Sequence, residues 1–152
     1  MGVAMFYQLK GQPLATTLSM LLEKSLSAGW NVAVRGTDRA GLEALDAALW
    51  LGREDSFLPH GLEGGPQDAE QPILLGTGEQ NVNAAQCVMA VQSAQVSAAD
   101  VGAMERVCIL FDGYDEAALA HARGQWKALV AEGVSAQYWA NEDGRWEKKV
   151  EA

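Results

Sequence analysis

Long apolar runs are missing from this chain: none approaches the ~20 residues that a membrane-spanning helix requires. Its opening residues, Met1-Gly-Val-Ala-Met-Phe-Tyr-Gln-Leu9, have neither the basic flank nor the small-residue cleavage site of a signal peptide, so none is expected. The myristoylation pattern is missing too, because Phe6 stands where a serine or threonine belongs. Cysteine is scarce. Cys87 and Cys108 lie in apolar surroundings without Cys-x-x-Cys spacing. That argues against a disulfide framework or a zinc site and predicts two buried thiols in a cytoplasmic protein. Positive charge is scarce as well: 11 Lys and Arg face 20 Asp and Glu, for a formal net charge of −9. Such a chain repels nucleic acid in bulk, so DNA is expected to be met indirectly, and protein partners suit the acidity better. No membrane partner is expected.

What is present is enough for one domain over residues 1–152, with a sizeable core. Residues 4–9 read as a strand. Pro13 then introduces a helix with Leu14, Leu18, Leu21, Leu22 and Leu26 at helical spacing, stopped at Gly29. Residues 30–34 form the next strand, and Asp38 is the expected N-cap of a helix running through Leu51. Residues 54–70, rich in Gly, Pro and Asp, read as loop. Residues 71–76 read as a short buried strand with Pro72 at its start, and residues 86–91 as another. Ser97-Ala-Ala-Asp100 looks like a helix start, and residues 106–111 are the clearest buried strand. A long helix spans about 115–132, ended by Gly133, and a hairpin turning at Asn141-Glu-Asp-Gly144 closes the chain. Alternating strands and helices imply an α/β fold: a mainly parallel central sheet with covering helices.

That order invites a nucleotide-binding reading, but the phosphate motifs are absent. There is no Walker A sequence. Gly76-Thr-Gly78 follows a strand yet lacks a third glycine and reads as a turn. Asp112 and Asp115 stand at the end of a central strand, where open α/β sheets place their sites. Two readings stay open there: a metal or phosphate-handling enzyme site, or a turn followed by a helix cap. Neither His60 nor His121 belongs to a recognisable nucleophile–base set, and Ser56 is not in a Gly-x-Ser-x-Gly elbow. No catalytic centre, metal or cofactor is expected.

Two features favour binding. At about 100° per residue, Leu42, Leu45 and Leu49 form one stripe, and Trp50 falls roughly 100° away from it. Phe57-Leu-Pro-His60 follows without strand alternation. This is either a surface that a partner covers or one that a neighbouring loop covers. The second feature is on the long helix, where Leu119, Ala122, Trp126, Leu129 and Val130 share a face, with Arg123 and Lys127 at its edge. No carboxylate stands three or four residues from either cation on that helix. The pair either receives an acidic peptide beside an apolar slot or is simply solvated.

The motifs Leu45-Asp-x-Ala-Leu-Trp50, Ser56-Phe-Leu-Pro-His60, Phe6-Tyr-x-Leu9, Phe111-Asp112, Ala122-Arg-x-x-Trp-Lys127 and Tyr138-Trp139 together resemble the chi subunit of bacterial DNA polymerase III holoenzyme. The resemblance implies a three-layer α/β/α fold, Rossmann-like but without a phosphate-binding loop, and no catalytic activity. It also implies an adaptor between the clamp loader and single-stranded DNA-binding protein, whose acidic C-terminal tail ends in Pro-Phe. Carried over by residue, the tail would meet Arg123, Trp126 and Lys127. The psi subunit, or another clamp-loader component, would meet Trp50, Phe57, Leu58, Pro59 and His60.

Overall fold

The computed structural model describes residues 2–51, 59–78 and 80–152. Among these, eight strands form one sheet: β1 (Val3–Leu9), β2 (Val32–Arg35), β3 (His60–Leu62), β4 (Ile73–Gly76), β5 (Cys87–Ala90), β6 (Arg106–Asp112), β7 (Ala136–Glu142) and β8 (Arg145–Glu151). Their order across the sheet is β3-β4-β2-β5-β6-β1-β7-β8. Every neighbouring pair is parallel except the β7–β8 hairpin.

Among the described residues four α-helices cover the two faces. On one lie α1 (Leu14–Ser27) and α2 (Arg39–Trp50), whose Leu18, Leu21, Leu22, Leu42, Leu45 and Leu49 pack on Met5, Val32, Val34, Ile73, Leu75 and Met89. On the other lie α3 (Ala98–Ala103) and α4 (Glu116–Ala131), packed through Val101, Ala122 and Leu129 on Phe6, Val88, Val107 and Phe111. Strands buried on both faces carry continuous apolar runs, as in Ile73-Leu-Leu and Cys87-Val-Met-Ala90. The result is the expected three-layer α/β/α arrangement. Among the described residues no helix is long and apolar enough to cross a membrane.

Local chemistry sets the element ends. Asp38 caps α2 by accepting from Gly41 N at 3.1 Å. Ser97 and Asp100 form a reciprocal capping box at α3: Ser97 Oγ accepts from Asp100 N at 3.1 Å, and Asp100 Oδ2 accepts from Ser97 N at 2.9 Å. Gly29, at φ +85°, closes α1, where Trp30 N donates to Ser25 O at 3.1 Å. In the hairpin, Asp143 and Gly144 both take positive φ (52° and 83°), the two-residue turn that matches strand twist.

One expectation is corrected. Residues 54–70 are not loop throughout: His60–Leu62 forms edge strand β3, parallel to β4, and Asp68–Glu70 makes a single 3-10 turn. A three-residue strand centred on Gly61 has no apolar alternation to betray it. Its order comes from pairing with β4, in register His60↔Ile73 and Leu62↔Leu75.

Candidate functional site

The long helix α4 begins at Asp115, whose Oδ1 accepts from Ala117 N at 2.9 Å and Ala118 N at 3.1 Å. Asp112 Oδ1 accepts from Tyr114 N at 2.9 Å. Both acids therefore serve a turn and a helix cap, the structural alternative for this pair. Among the described residues no group of three His, Cys, Asp or Glu could hold a metal ion. The glycine turn after β4 is likewise filled from within: Glu63 Oε1 accepts from Thr77 N at 2.8 Å and from Thr77 Oγ1 at 3.1 Å. A carboxylate stands where a phosphate would approach and repels it.

Along α4, Ala122, Gln125 and Leu129 are buried, while Arg123 and Lys127 are exposed. Among the described residues neither cation has a carboxylate partner. Trp126 is half-buried, and helical angle had pointed it to the core. Its ring meets Phe6 edge-on, with centroids 5.3 Å apart, and Tyr138 at 5.9 Å. Tyr138 also touches Phe111 at 6.0 Å. Trp126 is thus one wall of an aromatic cluster at the border of the core, beside both cations. Sequence reasoning missed two members of this region. Gln125 faces inward and accepts from Val96 N at 2.6 Å, tying α4 to the segment before α3. Tyr138, from β7, donates to Gln8 Oε1 at 2.6 Å. Burial pushes its phenol pKa up, and the Arg123 charge pulls the other way, so guanidinium and phenol share one electrostatic neighbourhood. The Tyr138-Trp139 pair was a visible signal, but placing it beside Trp126 required knowing that β7 pairs with β1.

The second surface lies at the end of α2. Trp50 is 54% exposed, off the buried Leu42–Leu45–Leu49 stripe. Its ring lies over that of His60, with centroids 4.2 Å apart. His60 is buried, and its Nε2 stands 3.3 Å from the Asp46 carbonyl oxygen and 3.3 Å from Asp46 Oδ1. The carbonyl takes the aligned contact, while the carboxylate oxygen is close without an aligned hydrogen bond. His60 therefore supports Trp50 from beneath and offers little surface of its own. Pro59 is half-buried beside it. Phe57 and Leu58, the remaining residues expected at this surface, lie outside the described residues.

A family model described as "DNA polymerase III chi subunit, HolC" matches residues 1–137. The chain belongs to this chi-subunit family. Among curated relatives, DNA polymerase III subunit chi of Pseudomonas aeruginosa is 41% identical over 59 residues, covering 39% of this chain and 40% of that protein. The probable DNA polymerase III subunit chi of Rickettsia prowazekii is 30% identical over 77 residues, 51% of this chain and 47% of that protein. The matched stretches thus span less than half the length of either relative. The chi-family match covers β1 through the start of β7, and with it α2 and α4, but stops one residue short of Tyr138.

Proposed function

We propose that this chi-family chain is a non-catalytic accessory subunit of DNA polymerase III in DNA replication, acting in the cytoplasm as an adaptor with two protein-binding surfaces. On α4, Arg123 and Lys127 receive the acidic C-terminal tail of single-stranded DNA-binding protein, and the Trp126–Tyr138 cluster borders the slot for its terminal Phe. At the end of α2, Trp50 with Pro59, Phe57 and Leu58 docks the psi subunit or another clamp-loader component, and His60 steadies the indole from below.

The observation that carries this reading is the cation couple: in a chain of net charge −9, Arg123 and Lys127 stand exposed, four residues apart, without carboxylate partners among the described residues and beside an aromatic wall. Unpaired cations next to apolar surface suit a ligand that brings both carboxylates and an aromatic side chain. The test is capture of single-stranded DNA-binding protein by the immobilised full chain, with and without the last few residues of that protein. Retention of the intact protein and loss of the truncated one is the expected outcome. Equal retention of both overturns the assignment.

A further inference from the structure

The face of the sheet that carries α1 and α2 is not evenly covered. α1 packs over β1, β6, β5 and β2, while the hairpin β7–β8 extends past it and projects Trp139 and Trp146 on that side. Between helix and hairpin lies a cavity of about 260 Å³. Its floor is Met5 and Tyr7 of β1, and Trp146 meets Tyr7 edge-on with centroids 5.4 Å apart. Met20 lines the helix side.

Two polar donors of this cavity are already engaged: Ser25 Oγ donates to Leu21 O at 2.9 Å, and Trp139 Nε1 to Gln137 Oε1 at 3.1 Å. Lys24, Arg106 and Tyr7 lack a strong acceptor among the described residues. Lys24, exposed on α1, and Arg106, at the start of β6, both line it, and among the described residues neither has a carboxylate partner. Arg106 lies over the ring of Trp30, 5.4 Å from its centroid, which holds the guanidinium in place. Its Nε is buried with no hydrogen-bond partner, a costly arrangement for a charged donor. Tyr7 donates to Met5 Sδ at 3.8 Å, a weak acceptor, and burial keeps its phenol protonated. Two cations and a neutral hydroxyl donor thus converge on a pocket walled by tryptophan and methionine. Ligand sites are built this way: mostly apolar walls with a few polar groups fixing one end.

We propose that this cavity binds a small amphipathic carboxylate, its charged end between Lys24 and Arg106 and its apolar body against Met5, Met20, Trp139 and Trp146. The charge complement selects an anion, and the planar guanidinium favours carboxylate geometry. The site lies on the opposite face of the sheet from Arg123 and Lys127, so it is separate from the acidic-tail surface.

Decanoate, at submicellar concentration, is the probe, and decanol is its uncharged counterpart. Titration of the labelled full chain should move the methyl resonances of Met5 and Met20 and the indole resonances of Trp139 and Trp146 saturably. Decanol should bind about tenfold more weakly, the scale of a lost charge-assisted contact. Lys24→Gln, an exposed helix substitution that keeps the fold, should weaken decanoate about fivefold and leave decanol unchanged. No movement of these resonances, or equal responses to decanoate and decanol, overturns the proposal. An acidic Pro-Phe-terminated peptide should move Trp126 and leave this set still. If that peptide moves Met20 and Trp139 instead, the cavity is a peptide site and the small-carboxylate reading falls.

Discussion

Trp50 lies over His60 with ring centroids 4.2 Å apart, an exposed indole resting on a buried imidazole. Half of the tryptophan surface is turned outward, so its removal takes away contact area without opening the core. Trp50→Ala should lower stability by no more than about 1.5 kcal/mol, including the lost ring contact. It should also abolish capture of a clamp-loader partner, as expected of an interface anchor. Thermal melts alongside pull-down check both halves. A variant that unfolds would make Trp50 a structural residue.

Arg123→Ala and Lys127→Ala act on exposed groups and should leave stability within about 0.5 kcal/mol of the parent. Each should weaken binding of an acidic Pro-Phe-terminated peptide by about 1–3 kcal/mol, and the remaining affinity should fall less steeply with salt. Fluorescence anisotropy at two ionic strengths measures this. Unchanged affinity in both variants would remove α4 from the binding reading.

Trp126 has two roles to separate. Its contacts with Phe6 and Tyr138 predict that Trp126→Ala costs about 2–4 kcal/mol of stability, somewhat less than a fully buried aromatic. Trp126→Phe keeps an aromatic in the cluster and should cost under about 2 kcal/mol. If Trp126→Phe retains stability but loses peptide affinity, the indole itself borders the slot. Denaturant melts paired with anisotropy give both values.

An acid-sensitive contact ties α3 to the sheet. Arg35 Nη1 donates to Asp100 Oδ2 at 3.0 Å, and the same carboxylate accepts from Ser97 N. Burial alone would raise the Asp100 pKa, but the Ser97 bond and the Arg35 guanidinium outweigh it and hold the carboxyl below its usual range. A depressed folded-state pKa stabilises the fold above the unfolded value near ~4 and is lost as pH falls through the folded one. Asp100→Asn should therefore cost about 1–3 kcal/mol at neutral pH, and the gap to the parent should narrow below about pH 4. Urea melts across pH 2.5–7 (an approximate span set by that ~4 reference value) show the convergence; a gap constant across the series would rule out the ionic contribution.

Most of the architecture was legible because the local signals agreed with the global fold. Continuous apolar runs marked β4, β5 and β6, the leucine spacing marked α1, and Asp38, Ser97 and Asp115 were recognisable caps. β3 was hidden because its three residues owe their conformation to β4 and not to their own sequence. The α4 surface was half legible. Helical angle put Arg123 and Lys127 at the edge and Trp126 toward the core, whereas the indole lies half-buried at the core's border. Tyr138 could not be joined to them, since its position follows from the parallel pairing of β1 with β7, which sets Phe6 opposite Tyr138 and brings Gln8, 130 positions away in the chain, to its hydroxyl. The burial of His60 was unreadable for the same reason.

α2 and α4 pack on opposite faces of one sheet, so among the described residues Trp50 and His60 lie across the sheet from Arg123, Trp126 and Lys127. Two ligands held this way neither compete nor assist each other, and their binding free energies should simply add. A double-mutant cycle combining Trp50→Ala with Arg123→Ala should show a coupling of about zero. If both proposed surfaces hold their partners, the sheet would act as a spacer of fixed thickness, allowing one tether to be released and retaken while the other stays fastened.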